Sequence, residues 1–77
     1  MVRDEVRAEV CRLLFGQPVP ESELSDDDDL FEAGLDSMGV LKLVAWVEKK
    51  TARELGDEEV KTENFRSIRA LIALIGC

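Results

Sequence analysis

Apolar residues recur at helical spacing along this chain, and over no useful length do they alternate with period two as they would in a strand. The first helical pattern runs from Arg3 to Phe15, with charged residues on its other faces. Gly16 then supplies a helix stop, and prolines at positions 18 and 20 keep the following chain extended. The sequence therefore predicts an all-α fold whose first helix ends near residue 15. The apolar stripe of this helix is Val6, Val10, Leu13 and Leu14.

Two more helices are predicted in the middle of the chain. Asp36 is a good N-cap for a second helix that extends to about Lys50. After a break at Leu55 and Gly56, the residues 57–60 are long enough for a single helical turn, and their acidic side chains suit a helix N-terminus. We interpret this segment as a short third helix.

A fourth helix closes the chain before Gly76, and either Thr62 or Asn64 can cap its start. Its apolar positions are Phe65, Ile68, Leu71, Ile72 and Ile75. Residues 1–77 are thus predicted to form one domain, a four-helix bundle of three longer helices and one short one, with a long loop between the first and the second. The predicted core is Val6, Val10, Leu13, Leu14, Phe31, Leu43, Val44, Val47, Ile68, Leu71, Ile72 and Ile75.

The loop from about Gln17 to Asp36 is unusually long for a compact domain, and loops of this length tend to be functional or held by buried anchors. The candidate anchors are Val19, Leu24, Leu30 and Phe31.

Eight of the chain's 17 acidic residues lie in this loop, four of them in the run 26–29. A calcium-binding EF-hand counted from Asp26 would need Gly at its sixth position and Glu at its twelfth, where this chain has Phe31 and Ser37. No metal site is therefore predicted. The acidic run is interpreted as a solvated face that can also steer basic partners toward the protein.

Composition excludes most enzyme classes. The chain of 77 residues allows one small core, and it has no His and only two Cys, Cys11 and Cys77. A Ser-His-Asp or Cys-His catalytic set and a Cys/His zinc cluster are therefore excluded. A formal charge of −7 disfavours nucleic acid and anionic membranes, and it favours basic protein partners. The two Cys and the absence of a signal peptide or membrane span point to the cytoplasm. We expect a monomer.

Ser37 is the main candidate for chemistry. The pair Asp36-Ser37 alone indicates no more than a helix start. Its surroundings, Leu-Phe-Glu-Ala-Gly-Leu-Asp-Ser-Met over residues 30–38, resemble the modification site of acyl and peptidyl carrier proteins. The resemblance covers essentially the whole chain, because the helices and the long loop follow in the order and proportions of that family.

The resemblance implies a protein without catalytic residues on which Ser37 is esterified with 4′-phosphopantetheine, taken from coenzyme A by a phosphopantetheinyl transferase. The thiol of this arm holds acyl or aminoacyl groups as thioesters, which a ligase, acyltransferase or synthase loads and removes. Asp36 would be recognised by the transferase. Independently of the family, a phosphodiester suits a helix N-terminus, where backbone N–H groups and the helix dipole favour negative charge.

Positions that partner enzymes would read follow from the same resemblance. They are Met38, Leu41, Lys42 and Ala45 on the second helix, with Leu55 and Val60 beside the groove where the arm can lie. For Met38 and Leu41, packing in the core is an equally good interpretation. Trp46, the single Trp, could close the core or lie at an interface.

Two features depart from fatty-acid carriers. Lys42 stands where an acid is usual, and Gly39 weakens the first turn of the second helix by up to about 1 kcal/mol. The sequence around Ser37 is similar to stand-alone carriers loaded by adenylating ligases, including the D-alanyl type. The residues 63–65 resemble discrete carriers of bacterial specialised metabolism, the polyketide or nonribosomal peptide type that serves antibiotic biosynthesis.

Two other functions compete with the carrier interpretation. One is an acidic helical adaptor that binds a basic protein through its loop without being modified; it would tolerate the loss of Ser37 and suffer from neutralisation of residues 26–29. The other, a hydrolase using Ser37, ranks last because the chain has no histidine base and nothing in the sequence places a lysine beside the serine.

Overall fold

Three α-helices and one short 3₁₀ helix make up the regular structure of residues 2–76, the part of the chain that the computed structural model describes. Helix α1 is Val2–Phe15, α2 is Ser37–Thr51, the 3₁₀ helix is Thr62–Phe65 and α3 is Ile68–Ile75. Residues 2–76 contain no strand, so the all-α prediction is confirmed. No helix among them is long and apolar enough to cross a membrane. Cys77 lies outside the described residues.

Helix α1 ends where the sequence predicts. Gly16 adopts a positive φ of 74°, and its N–H donates to the carbonyl of Arg12 at 3.0 Å, which closes the last turn. The buried face of α1 packs against α3 and contributes Val6, Val10 and Cys11 to the core.

Helix α2 begins at Ser37 with Asp36 as its N-cap, as predicted. The Asp36 side chain accepts a hydrogen bond from the N–H of Gly39 at 2.9 Å. Gly39 is buried, and a Cβ there would lie 2.5 Å from the Leu35 Cδ1 atom. The glycine therefore lets α2 lie close over Leu35. This close packing accounts for the presence of a weak helix former at position 39.

The predicted third helix is wrong. Residues 57–60 form a single turn, in which the N–H groups of Glu59 and Val60 both donate to the carbonyl of Gly56, at 2.9 and 3.2 Å. Both hydrogen bonds end on the single carbonyl of Gly56, so the turn is not followed by a second one. The short helix lies further on, at Thr62–Phe65, and it is 3₁₀. The count of four α-helices is accordingly not confirmed.

Helix α3 also starts later than predicted. Its N-cap is Ser67, whose hydroxyl accepts a hydrogen bond from the N–H of Ala70 at 3.0 Å. Thr62 and Asn64 therefore do not cap α3. The predicted apolar spacing spans two elements, because Phe65 closes the 3₁₀ helix and Ile68 opens α3.

The core combines the three α-helices with the long loop. Six of the twelve predicted core residues are fully buried, namely Val6, Val10, Leu43, Val47, Ile68 and Leu71. The other six are half-buried at its edge, namely Leu13, Leu14, Phe31, Val44, Ile72 and Ile75. Five buried residues are missing from the predicted set, namely Cys11, Leu24, Leu30, Leu35 and Phe65. Of the predicted loop anchors, Leu24 and Leu30 are buried, and Val19 and Phe31 are half-buried.

Candidate functional site

Ser37 is exposed at the first position of α2, directly after the loop. The cap at Asp36 orders the helix start, because its side chain accepts from Gly39 and its carbonyl accepts from the N–H of Val40 at 2.9 Å. Within residues 2–76 no acceptor contacts the N–H groups of Ser37 and Met38. The hydroxyl therefore lies beside two free backbone donors at the positive end of a helix.

An open groove of about 580 Å³ lies along one side of Ser37, between α2 and the segment that leads into the 3₁₀ helix. Its floor is apolar, and Lys61 is the single cation along it. Val60 lines this groove as predicted, whereas Leu55 is half-buried and does not line it. The lining residues are Phe31, Asp36, Ser37, Val40, Leu41, Val60, Lys61 and Thr62.

The outer face of α2, which we define as Met38, Leu41, Lys42, Ala45 and Lys49, is exposed to solvent. Met38 is 63% exposed and Leu41 is 61% exposed, so the core interpretation of these two residues is wrong. Both are among the few large apolar side chains in residues 2–76 that the fold leaves exposed.

Trp46 is half-buried at the edge of the core, where it borders a shallow hollow with Lys49 and Lys50. Of the two interpretations of this residue, the structure supports packing against the core. Part of the side chain stays exposed to solvent, on the side of α2 away from the Ser37 groove.

Two carboxylates of the acidic run pair with arginines elsewhere in the chain. Asp26 accepts hydrogen bonds from Arg3 Nε at 2.5 Å and from Arg7 Nη1 at 3.1 Å. Asp27 pairs with Arg69 across the molecule, with Oδ1 2.5 Å from Nε. These carboxylates hold the loop against the helices.

The remaining two carboxylates of the run cap turns. Asp28 accepts from the N–H of Ser25 at 2.9 Å, and Asp29 accepts from the N–H of Phe31 at 2.8 Å. All four carboxylates have partners within the chain, yet Asp27 and Asp28 stay exposed, so the interpretation of a solvated face holds for these two, and steering of basic partners stays a prediction. The adaptor interpretation has fewer free carboxylates than the sequence suggested, since Asp26 and Asp27 are paired with arginines.

Arg7 is a residue whose role the sequence did not reveal. Its guanidinium donates to the carbonyl of Leu24 at 2.8 Å, to the carbonyl of Val19 at 3.2 Å and to Asp26. Its side chain is only 11% exposed. Periodicity assigned Arg7 to a solvated face. One feature of the sequence could have indicated this role. Arg7 lies next to Val6 at the margin of the apolar stripe, and from there a long cationic side chain can reach a neighbouring loop.

Three carboxyl groups have pKa values shifted by these contacts. Partial burial alone would raise the pKa of Asp26, but the hydrogen bonds and charges of Arg3 and Arg7 outweigh it and lower the pKa below its usual value. The hydrogen bond from Arg69 lowers the pKa of Asp27, and that from Arg53 lowers the pKa of Glu59. Each group is thus held as a carboxylate.

Residues 2–76 hold no cluster of His, Cys, Asp and Glu side chains that could bind a metal ion. The carboxylates of the loop are divided among separate partners instead of converging on one point.

Comparison with known proteins identifies the class of this domain. A family model described as "phosphopantetheine attachment site" matches residues 4–75, nearly the full chain. The chain therefore belongs to the phosphopantetheine-binding family of carrier proteins. It is also similar to the aminoacyl carrier protein of Agrobacterium fabrum (strain C58): the two are 34% identical over 58 residues, which cover 74% of this chain and 70% of that protein.

Family membership establishes the general role. The protein is a non-catalytic carrier, its prosthetic group is covalently attached 4′-phosphopantetheine, and it interacts with a modifying transferase and with biosynthetic enzymes. The site described above fits this group, since an exposed hydroxyl at a helix start with two free N–H donors can bear a phosphodiester, and an apolar groove runs beside it.

Proposed function

We propose that Ser37 is the attachment site and that the protein is a stand-alone carrier of aminoacyl or acyl thioesters. The observation that carries this proposal is the position of the Ser37 hydroxyl: it is exposed at the first residue of a capped helix and lines an apolar groove. Among the serines of residues 2–76, Ser67 is an N-cap and Ser22 and Ser25 lie in the loop, so Ser37 alone combines exposure with a helix start.

The helix start favours the modified serine. A phosphodiester on the Ser37 oxygen would lie next to the N–H groups of Ser37 and Met38, where the dipole of α2 stabilises negative charge by about 0.3–1 kcal/mol. Asp36 keeps the first turn in place through Gly39. The second oxygen of this exposed carboxylate is available to the transferase, in keeping with its proposed recognition role.

The transfer reaction forms an ester and cleaves a pyrophosphate. The Ser37 oxygen bonds to the phosphorus that bears pantetheine in coenzyme A, the pyrophosphate P–O bond breaks and adenosine 3′,5′-bisphosphate leaves. The hydroxyl proton goes to a base of the transferase, because this chain has no histidine to accept it. When bound, the arm supplies a thiol for thioester formation.

The groove beside Ser37 gives the arm a place to rest between transfers. Its apolar floor, with Val40 and Val60, suits the pantetheine chain, and Lys61 lines the same groove as Ser37. Leu55 does not line this groove, so the proposal keeps Val60, but not Leu55, beside the resting arm.

An aminoacyl cargo is favoured by the relative from Agrobacterium, which is named an aminoacyl carrier protein. A loading ligase that activates a small acid is then the partner, and specialised metabolism of the polyketide or nonribosomal peptide type is the setting that we propose. A cytoplasmic monomer is part of the proposal, because the transferase draws on coenzyme A.

Intact-protein mass spectrometry tests the attachment site. The wild type, Ser37→Ala and the matched control Ser22→Ala are incubated with coenzyme A, Mg²⁺ and a broad-specificity phosphopantetheinyl transferase that is active on a known carrier. We expect one phosphopantetheine on the wild type and on Ser22→Ala, and none on Ser37→Ala. Because Ser37 is exposed, the melting temperature of Ser37→Ala should stay that of the wild type.

Two outcomes would contradict the proposal. If Ser37→Ala is still modified, the attachment site is another residue. If the wild type is not modified at all, Ser37 is not an attachment site. Asp36→Asn then tests recognition, because Asn caps a helix about as well as Asp but carries no charge. We expect slower transfer with unchanged stability.

A further inference from the structure

One side of the Ser37 groove is formed by a segment outside the three α-helices. We define the groove wall as residues 56–62, of which residues 60–62 line the groove across from the start of α2. The first turn of this wall is local, because its backbone N–H groups donate to the carbonyl of Gly56. Within residues 2–76 no backbone hydrogen bond joins the wall to an α-helix.

Side chains hold the groove wall in place. The Arg53 guanidinium donates to the carboxylate of Glu59 at 3.0 and 3.2 Å and to the carbonyl of Leu74 in α3 at 3.0 Å. The side-chain amide of Asn64 donates to the carbonyl of Glu59 at 2.7 Å. The Arg53 and Glu59 side chains are 41% and 37% exposed, and ion pairs this exposed contribute little to stability. Small displacements of the wall therefore cost little free energy.

Lys61 is the cation that this wall presents to the groove. The residue is exposed, and it belongs to none of the ion pairs within residues 2–76. The acid that lines the same groove, Asp36, caps α2 through the N–H of Gly39. The ammonium group of Lys61 is thus free to bind an anion that enters the groove.

The prosthetic group of the family supplies such an anion. 4′-Phosphopantetheine is joined to its serine through a phosphodiester, which is negatively charged. On Ser37 this anion would lie in the groove that Lys61 lines, beside the free N–H groups at the start of α2. It would accept hydrogen bonds from α2 on one side and from the groove wall on the other, and so would join two elements that share no backbone hydrogen bond within residues 2–76.

We propose that Lys61 binds the phosphodiester of the attached arm and that the groove wall moves toward α2 when this contact forms. The inference rests on the proposed function, in which Ser37 is the attachment site. The arm can shift the wall because it contacts Lys61 only in the closed position, and a ligand shifts an equilibrium by its difference in affinity for the two states. Val60 moves with the wall, so the pantetheine chain gains apolar cover from the same movement.

This contact sets a condition on the partner enzymes. The arm enters an active site only after it leaves the groove, which breaks the contact between the phosphodiester and Lys61. An enzyme that takes up the arm must therefore supply its own donors to the phosphate. Between encounters Lys61 keeps the arm against the protein.

Amide hydrogen exchange and ³¹P NMR on the full chain test the proposal. The wild type, Lys61→Gln and the matched control Lys49→Gln are each converted to the phosphopantetheine form with the broad-specificity transferase, and intact mass confirms one arm on each. Unmodified samples of the same proteins give the reference. Lys49 is exposed on α2 and does not line the groove, so the two variants lose the same charge at different places. Melting temperatures are measured alongside.

We expect the amides of the groove wall to exchange about threefold or more slowly in the modified wild type than in the unmodified protein. Lys49→Gln should show the same gain in protection and Lys61→Gln none. The ³¹P resonance of the arm should coincide in the wild type and Lys49→Gln and differ in Lys61→Gln. The gain should shrink as salt rises from about 0.05 to 0.5 M, because the contact is exposed.

Equal exchange in the modified and unmodified wild type would overturn the movement of the wall. An undiminished gain in Lys61→Gln would overturn the contact with Lys61. Both results leave Ser37 as the attachment site. A wild type that takes up no arm, or a Ser37→Ala protein that still takes it up, would instead refute the proposed function and the inference with it.

Discussion

The loop of residues 17–36 and the outer face of α2 use their residues in opposite ways. The loop is rich in charge, yet Asp26 and Asp27 are bound by arginines of α1 and α3. The outer face of α2 has few charges, and those of Lys42 and Lys49 have no partner in residues 2–76. Its apolar side chains Met38 and Leu41 are exposed, whereas the leucines of the loop are buried.

The difference shows that the charge available to a partner is not the charge counted along the sequence. A carboxylate that already accepts hydrogen bonds from two arginines contributes to stability and adds little to the external field. A lysine without a partner adds its charge to the external field and contributes little to stability. In this protein the loop stabilises the fold, and the outer face of α2 stays exposed and is proposed to serve recognition.

The largest effect is expected when the same substitution, Leu to Ala, is made in both regions. Leu30 is fully buried and Leu41 is 61% exposed. Leu30→Ala should lower the free energy of unfolding by about 2–5 kcal/mol because it leaves a cavity, and Leu41→Ala should change it by less than about 0.5 kcal/mol. Urea denaturation followed by circular dichroism measures both, and equal losses would break the comparison.

Removing Arg7 should have the next largest effect. Arg7→Ala leaves the carbonyls of Val19 and Leu24 and one oxygen of Asp26 without their donor, which should cost about 2–4 kcal/mol of stability. Lys49→Ala is the matched loss of a cation and should cost less than about 0.5 kcal/mol. Thermal unfolding at pH 7 compares the two; a stable Arg7→Ala protein would mean that the loop is held by its leucines alone.

The Asp26 contact predicts a loss of stability in acid. Because its pKa is lower in the folded protein than in the unfolded chain, the contact stabilises the fold above the unfolded value of about 4 and is lost as the pH falls through the folded pKa. Asp26→Asn should be less stable than the wild type by about 1–3 kcal/mol at pH 7. The gap should narrow toward pH 3 in denaturant titrations, and a gap independent of pH would assign the loss to packing.

The smallest effect is expected for the ion pair of Asp27 and Arg69. The two side chains are 69% and 68% exposed, and exposed pairs contribute about 0–1 kcal/mol. A double-mutant cycle of Asp27→Asn and Arg69→Gln in urea should give a coupling within that range and a smaller one at 0.5 M NaCl. A coupling above about 1.5 kcal/mol would show that this pair pins the loop as firmly as Arg7 does.

Local signals in the sequence predict the start of the site. The cap at Asp36 and the helix stop at Gly16 follow from residue types whose backbone preferences act within one turn, and the structure has both. The exposed position of Ser37 follows from the cap, since a first-turn residue next to a loop faces outward.

What the sequence did not reveal depends on contacts between distant residues. The bonds from Arg7 to Val19 and Leu24 join residues 12 and 17 positions apart. The error at residues 57–60 has a different source, because acidic residues are common both at helix starts and in turns. The short helix in this part of the chain, which is 3₁₀, begins only at Thr62.

Periodicity alone could not decide that Met38 and Leu41 are exposed, because an apolar stripe wider than the core contact gives the same periodicity; the family resemblance offered exposure as one of two interpretations. Only the packing shows that Gly39, Leu43 and Val47 take the inner side of α2.

Two backbone hydrogen bonds join the long loop to the residues just before α3 and to the first turn of α3. The N–H of Leu30 donates to the carbonyl of Arg66 at 2.7 Å, and the N–H of Arg69 donates to the carbonyl of Asp26 at 3.0 Å. Amides in such bonds exchange with solvent only when the surrounding unit opens. We therefore expect the loop to unfold together with α3, and the protein to travel between its partner enzymes as one stiff body that leaves large-amplitude motion to the arm.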